Sequence, residues 1–301
     1  MIYWFKYLIV TGLLLTAQLN AETWVRGAIT LHEVSTAVEL RELGLATKTF
    51  SSSQVPRTMG GLINCEAEYG ATAYFSSSNR AFFFFAGDGS FAIERFEQIM
   101  PDPAAWEASE LEPGRSRMIL NFRAGNLIID TRHLLEASQC LVETPLGRLS
   151  VQRALWQMQI AFDPRSQIFD FTITCSEGRV RYTDLQGQVY TLRAGQRLAG
   201  AGARDMPSIE VGERTRESIE LLQNYMSMSE RYAAAANQLS HYQSHFKLME
   251  QSARQSVVMP AATVGATNRR PIVIEYADEP VAVTPFRGEV KAPASYQAES
   301  F

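Results

Sequence analysis

Four consecutive phenylalanines, Phe82 to Phe85, constrain the fold of this chain more than any other feature. They are strong strand formers, and side chains alternate between the two faces of a strand. Phe82 and Phe84 therefore point one way, and Phe83 and Phe85 point the other. Because a strand that is apolar on both faces has to be covered on both, the run predicts a strand of a sandwich or a solenoid.

The Gly-Asp-Gly at residues 87–89 follows this run directly. These residues tolerate positive φ, which a tight reversal between antiparallel strands requires. The next segment, residues 91–96, mixes apolar and charged side chains and is typical of a returning strand with a wetter face. The sequence therefore predicts a buried β-hairpin over residues 77–96.

The same style of sequence continues from Glu22 to about residue 200. Short runs rich in Ile, Val, Phe, Tyr and Thr alternate with turn signals. Three late glycines, Gly178, Gly187 and Gly195, are nine and eight residues apart, which is a rhythm typical of all-β sandwiches, barrels and solenoids. We predict a mainly β protein whose β domain of short antiparallel strands covers residues 22–205.

A helical period replaces the strand pattern after residue 206. Apolar positions recur in alternating steps of four and three, which is the heptad pattern of a coiled coil. We predict one long helix over residues 206–257, in which an apolar seam serves assembly: Leu221, Tyr225, Met228, Tyr232, Leu239, Tyr242, Phe246 and Met249. The seam is compatible with self-association, with a partner-binding helix, or with docking on the chain's own β domain.

The two ends of the chain differ from the β domain. Residues 1–21 combine Lys6, an eleven-residue apolar core and a cleavage site after Ala21, which together are typical of a secretory signal peptide. We expect cleavage before Glu22, with an uncleaved anchor as the alternative, and a periplasmic or secreted protein of a bacterial envelope. Residues 258–301 are rich in Pro, Ala, Thr and Glu and predict a flexible tail.

Charge and cysteine usage narrow the function. The formal net charge is −4 and no basic block stands out, so nothing in the sequence predicts nucleic-acid binding. Cys65, Cys140 and Cys175 lack CxxC spacing, which disfavours zinc and thioredoxin-type chemistry. Cys140 and Cys175 form a disulfide or remain buried thiols. We expect no metal and no cofactor.

Few residues suggest catalysis. His241 and His245 stand one helical turn apart, but no acidic or cysteine ligand accompanies them, so a solvated helix face is favoured over a metal site. Four acidic residues could suggest paired acids for sugar cleavage but are better interpreted as solubilising groups: Glu94, Glu97, Asp102 and Glu110. We predict that the protein is not an enzyme.

Four segments of the β region, in order, resemble the FecR-like domain, which is named for a ferric-citrate transport regulator. They are "SSNRAFFFFAGDGSFAIERFEQI" at residues 77–99, "LNFRAGNLIID" at 120–130, "VETPLGRLSV" at 142–151 and "ITCSEGRVRYTDLQGQVYTLRAGQRL" at 173–198. Each is a β-turn with its flanking strands, and together they span most of residues 25–200. The chain departs from the family where Ala154 and Leu155 replace the usual Gly-Thr before an aromatic residue.

The resemblance implies the extracytoplasmic β module of that family without its cytoplasmic part, which binds a sigma factor. We therefore expect an exported recognition or scaffold protein of the cell envelope that binds a protein partner through β edges or loops. A role in envelope signalling is compatible with this expectation. The alternative is a carbohydrate- or wall-binding, or carbohydrate-active, envelope protein, whose mark would be an open groove lined by Glu, Asp and Trp.

Overall fold

The computed structural model describes residues 22–103, 106, 110–204, 206–236 and 239–258. The predicted signal peptide and nearly all of the predicted tail lie outside these residues. The elements bounded within them are fifteen strands, two α-helices and one 3-10 turn at Ser52–Gln54. The strands are β1 (Trp24–Arg26), β2 (Ala28–Val34), β3 (Val38–Glu42), β4 (Lys48–Phe50), β5 (Arg57–Gly60), β6 (Ile63–Ala67), β7 (Thr72–Ser77), β8 (Phe82–Ile99), β9 (Ser116–Asp130), β10 (Gln139–Thr144), β11 (Gly147–Asp163), β12 (Ile168–Asp184), β13 (Val189–Arg193), β14 (Gln196–Ala203) and β15 (Met206–Glu213). The helices are α1 (Arg216–Ala236) and α2 (Leu239–Val258).

One hydrogen-bonded sheet contains all fifteen strands, and its main path runs β15-β14-β12-β11-β10-β9-β8-β6-β3-β4. The sheet is mixed, because β9 and β10 run parallel while the other neighbours on this path run antiparallel. The prediction of a mainly β protein is confirmed. The finer prediction of a sandwich or solenoid is not confirmed by this connectivity, in which long strands change neighbours along their length.

The hairpin predicted over residues 77–96 is wrong, because Phe82–Ile99 is one continuous strand. The Gly-Asp-Gly forms an irregularity inside β8, where pairing with β9 steps from Ala86 opposite Asn126 to Ser90 opposite Ala124. A Cβ on Gly89 would lie only 2.1 Å from the carbonyl oxygen of Ala124. Gly89 therefore permits a close approach of two backbones within a strand, as glycine does in β-bulges.

The alternation predicted for the four phenylalanines is confirmed. Phe83 and Phe85 belong to the main core, in which Phe85 makes an edge contact with Phe91 at a ring-centroid distance of 5.1 Å. Phe82 and Phe84 belong to a second apolar cluster on the opposite face of the sheet. None of the four is more than 7% exposed, so both faces of this half of β8 are covered.

The helical region differs from the prediction in two ways. Residues 206–213 form the strand β15, and the single long helix predicted over residues 206–257 is described as the two helices α1 and α2. The strand has a period of two, since Ile209 and Val211 alternate with polar residues. Thr215 then caps α1, because its Oγ1 accepts a hydrogen bond from the Ser218 amide at 3.3 Å. Neither described helix is long and apolar enough to cross a membrane.

Candidate functional site

The first helix covers the outer side of the four-phenylalanine strand. Leu222 and Tyr225 of α1 are 1% and 3% exposed and cluster with Phe82 and Phe84 of β8. The ring centroids of Tyr225 and Phe84 are 6.1 Å apart. Burial, with a smaller contribution from the charge of Asp130, raises the pKa of the Tyr225 hydroxyl well above its usual value. The hydroxyl therefore stays protonated, and α1 is a packed part of the domain.

The second helix docks around the strand β1. Met249 of α2 is fully buried and clusters with Val25 and Trp106. His245 is 1% exposed, and its Nε2 lies 2.9 Å from Oγ1 of Thr30 in β2. The prediction that His241 and His245 lie on a solvated helix face is therefore wrong for His245, because its ring is buried in the interface between α2 and the sheet. The side chain of His241 lies outside the described part of the chain.

Four of the five described residues of the predicted assembly seam pack against other parts of their own chain, and for Met228 only partial burial is observed. Leu221 and Met228 are half-buried, Tyr225 and Met249 are buried, and Phe246 is half-buried against the cluster around Trp106. The side chains of three seam residues lie outside the described part: Tyr232, Leu239 and Tyr242. Self-association through the helix stays a prediction.

A partly buried ion-pair network lies next to α1. Arg132 binds Asp130, with Nη2 2.7 Å from Oδ2, and reaches Glu177 on β12 at 3.1 Å. The Asp130 side chain is only 1% exposed. The hydrogen bonds that Arg132 donates to the Asp130 carboxylate are the largest cause of the raised pKa of the Arg132 guanidinium. The buried Asp130 carboxylate is paired with the Arg132 guanidinium, so the network fixes the turn after β9 rather than offering a reactive group.

The strand β15 forms one end of the sheet path and pairs only with β14 among the described strands. The side chains of β15 on the core side of the sheet continue cross-strand rows whose members on the inner strands are buried. Val211 lies opposite Leu198, which lies opposite Ile173, and the exposed fractions along this row are 48%, 0% and 0%. The apolar face of the sheet therefore extends to the edge strand β15, where Val211 at the end of the row is exposed to solvent.

The opposite end of the path is protected differently. The strand β4 has three residues and includes Lys48, and short charged edges of this kind resist pairing with another chain. The strand β15 has eight residues and carries neither Lys nor Arg. Of these two ends, β15 is the one on which an additional strand fits.

An acidic groove of about 520 Å³ lies between β3, β4, β6 and the irregularity of β8. Four of its lining residues are acidic, namely Glu39, Glu66, Glu68 and Asp88, and none of the lining residues is a tryptophan. The acids that sequence reasoning considered lie elsewhere. Glu94 accepts a hydrogen bond from Asn121 Nδ2 at 3.0 Å, Glu97 pairs with Arg95 at 2.6 Å, and Asp102 and Glu110 lie in the segment after β8.

The three cysteines are free and buried, which decides between the two alternatives for Cys140 and Cys175. Burial raises the pKa of the Cys140 thiol to about 12 and that of Cys175 to about 11. Burial also raises the pKa of Cys65 far above its usual value. Thiolates are the reactive form, so these three groups are packing residues. Among the described residues, no group of three or more His, Cys, Asp or Glu is arranged to hold a metal ion.

A scan against protein-family models and a search of curated proteins each find no match for this chain. Among solved structures, it is similar to two crystal structures of a "putative anti-sigma factor" from Parabacteroides distasonis. One, at 2.50 Å resolution, is 8% identical with a TM-score of 0.36, covering 53% of this chain and 63% of that chain. The other, at 1.65 Å, is 10% identical with a TM-score of 0.35, covering 52% and 62%. The chain thus spans less than two thirds of either neighbour, and likenesses this distant carry no functional argument.

Proposed function

We propose that the protein is an exported, non-enzymatic recognition protein of the bacterial cell envelope, and that it binds a protein partner by strand addition at β15. The observation that carries the proposal is the uncovered end of the apolar row at Val211, on a strand whose outer edge is unpaired among the described residues. The resemblance to FecR-like domains favours a role as a scaffold or in envelope signalling.

Strand addition fits this edge for two reasons. An added strand would pair with the free backbone groups of β15, which supply affinity without requiring a particular partner sequence. Alternate side chains of that strand would cover Ile209 and Val211, and this contact would supply specificity. Glu210 and Ser208 point to the other face and keep it polar. The partner segment should therefore be extended and apolar on one face.

Photo-crosslinking from the edge tests this function. A photoreactive residue at Ser208, in cells that express the full chain, should give one discrete adduct with an envelope protein. Val211→Asp should abolish that adduct because it places a charge on the covered row. Leu185→Asp is the matched control, since Leu185 is 49% exposed in the β12–β13 turn and Val211 is 48% exposed. An adduct that survives Val211→Asp, or that Leu185→Asp removes equally, would contradict binding at β15.

A further inference from the structure

Six arginines that are dispersed along the chain come together on one exposed face of the sheet. We call this surface the arginine face, and it is defined by Arg95, Arg117, Arg148, Arg179, Arg181 and Arg193. The strand register creates it, because alternate residues of β8–β13 point away from the core while their neighbours are buried. For example, Arg117 of β9 lies opposite Gln139 of β10, and Arg179 of β12 lies opposite both Gln152 of β11 and Arg193 of β13.

The charge of this face is opposite to that of the whole chain. Three glutamates lie on the same face, namely Glu94, Glu97 and Glu143, so the six arginines leave it a net charge of +3 on a protein whose formal charge is −4. Arg95 binds Glu97 at 2.6 Å. Among the described residues, no ion pair involves Arg179, Arg181 or Arg193.

Two of these arginines oppose each other directly. Arg179 of β12 and Arg193 of β13 are cross-strand partners, and both are exposed. Like charges in directly opposite positions destabilise a sheet by a few tenths of a kcal/mol or more, roughly. A ligand that accepts hydrogen bonds from both guanidinium groups would remove this repulsion. Phosphate can do so, because it presents several acceptor oxygens and Arg binds it with two parallel N–H donors.

The arginine face is also grooved. A shallow cavity of about 280 Å³ is lined by Arg95 and Arg117, and a second, of about 680 Å³, is lined by Arg153 and Arg179. Both cavities share the lining residue Gln152, so they adjoin and form one trough across β9 to β12. Three strand spacings make this trough about 14 Å wide. One carboxylate, Glu136, lines its second part.

At one end of the trough, an aromatic ring holds the side chain of an arginine in place. The Arg117 guanidinium lies 4.4 Å from the ring centroid of Trp24, and the Arg115 guanidinium lies 5.4 Å from it. Cation–π contacts of this length hold a guanidinium in place without neutralising its charge. Arg117 is therefore positioned for an anion before the anion arrives.

We propose that the arginine face binds a linear phosphate polymer along this trough. A line of acceptors matches arginines that are spread over several strands. A planar lipid surface matches them less well, because a sheet twists by about 20–25° per strand and turns its outer strands away from any plane. This surface is separate from β15, so the inference goes beyond the proposed function and does not depend on it.

Titration of the full chain with short-chain sodium polyphosphate, followed by calorimetry, tests the proposal. The double variant Arg179→Gln/Arg193→Gln should bind at least tenfold more weakly. The slope of log affinity against log salt concentration should also fall by about 1.5, because two phosphate contacts are lost. The control Arg165→Gln/Arg216→Gln removes two exposed arginines from the β11–β12 turn and the start of α1, and should change affinity less than twofold.

Three results would overturn the proposal. Equal weakening in both double variants would show attraction to charge anywhere on the protein. Equally tight binding of polyglutamate with the same charge would assign the face to an acidic protein. Binding to phosphatidylglycerol vesicles without binding to polyphosphate would assign it to a lipid surface. If the double variant does not fold, Arg181→Gln is the second variant, and a loss of at least threefold is expected.

Discussion

Tyr225 of α1 lies against Phe84 of β8, with ring centroids 6.1 Å apart, and this contact closes the second face of the four-phenylalanine strand. The two residues are 141 positions apart in the sequence. The second face of this strand is therefore covered by a helix that follows the β region in the chain. The domain cannot end at β15 without exposing Phe82 and Phe84, so the helix is part of the folding unit.

Tyr225→Phe should not lower the free energy of unfolding. It should leave that free energy unchanged or raise it by up to about 1 kcal/mol. The Tyr225 hydroxyl is buried and has no hydrogen-bond partner among the described residues. A buried polar atom without a partner costs free energy, and phenylalanine removes that atom while keeping the ring. Chemical denaturation of both proteins measures the difference. A loss of more than 1 kcal/mol would show that the hydroxyl has a partner.

Truncation of the phenylalanines should separate the two faces of β8. Phe85→Ala should cost about 3–5 kcal/mol, because Phe85 is fully buried in the main core. Phe84→Ala should cost a similar amount and should also reduce the hydrogen-exchange protection of the α1 amides. Phe85→Ala should lower the protection of α1 only through the loss of global stability. Equal loss of α1 protection in both variants would argue against a separate helix-covered face.

Alternation along strands is the part of the fold that the sequence allowed us to predict. The opposite faces of Phe83 and Phe84 follow from the geometry of a single strand, and no other information was needed. What covers each face depends on contacts between residues far apart in the chain. The helical spacing of the apolar seam therefore could not show that this helix packs against Phe84. His245 was missed for the same reason, since only the tertiary contact with Thr30 distinguishes a buried helix face from a wet one.

The arginine face was also invisible in the sequence. Arg179 and Arg181 are two residues apart, but no run of basic residues connects them with the other four arginines of the face. The register across five strands brings them together, and register is a non-local property. A useful signal would have been the repeated appearance of Arg at the polar positions of strands predicted to be neighbours.

Gly89→Ala should destabilise the protein by about 1–3 kcal/mol. A methyl group there would collide with the Ala124 carbonyl oxygen, 2.1 Å away, and backbone atoms inside a paired strand have little room to move. Gly212→Ala in β15 is the control, because no atom lies within 4 Å of its added methyl group. Thermal melting should separate the two variants clearly, and equal melting temperatures would show that the irregularity of β8 can relax.

Leu222→Asp should lower the melting temperature of the β domain without changing the mass of the particle. Leu222 is only 1% exposed because it packs against the strands. The aspartate would therefore bury a charge in the interface between α1 and the sheet, which should cost about 3–5 kcal/mol. Asn224→Asp, on the exposed side of the same helix, should have little effect. Light scattering supplies the decisive readout. A wild type heavier than one chain, reduced to a monomer with unchanged melting in the variant, would favour self-association instead.

Glu112 should make stability fall as pH rises through the acid to neutral range. Its carboxyl group is 3% exposed, and burial raises its pKa from 4.5 to about 7, against the opposing effect of hydrogen bonds from Ser138 and the Leu135 amide. Below pH 4.5 both the folded and the unfolded chain hold the proton. Between pH 4.5 and 7 the unfolded chain ionises first, so the folded state loses stability relative to it, by at most about 3 kcal/mol.

Glu112→Gln removes this titration, so the stability of the wild type relative to this variant should decrease from pH 4 to pH 8. Glu136→Gln changes an exposed carboxyl nearby and should leave the pH profile of the wild type unaltered. Urea denaturation at several pH values measures both differences. A constant difference between wild type and Glu112→Gln across this range would mean that the carboxyl titrates at its ordinary pKa. Water would then have to reach the turn between β9 and β10, where Ser138 and Leu135 now enclose the carboxyl group.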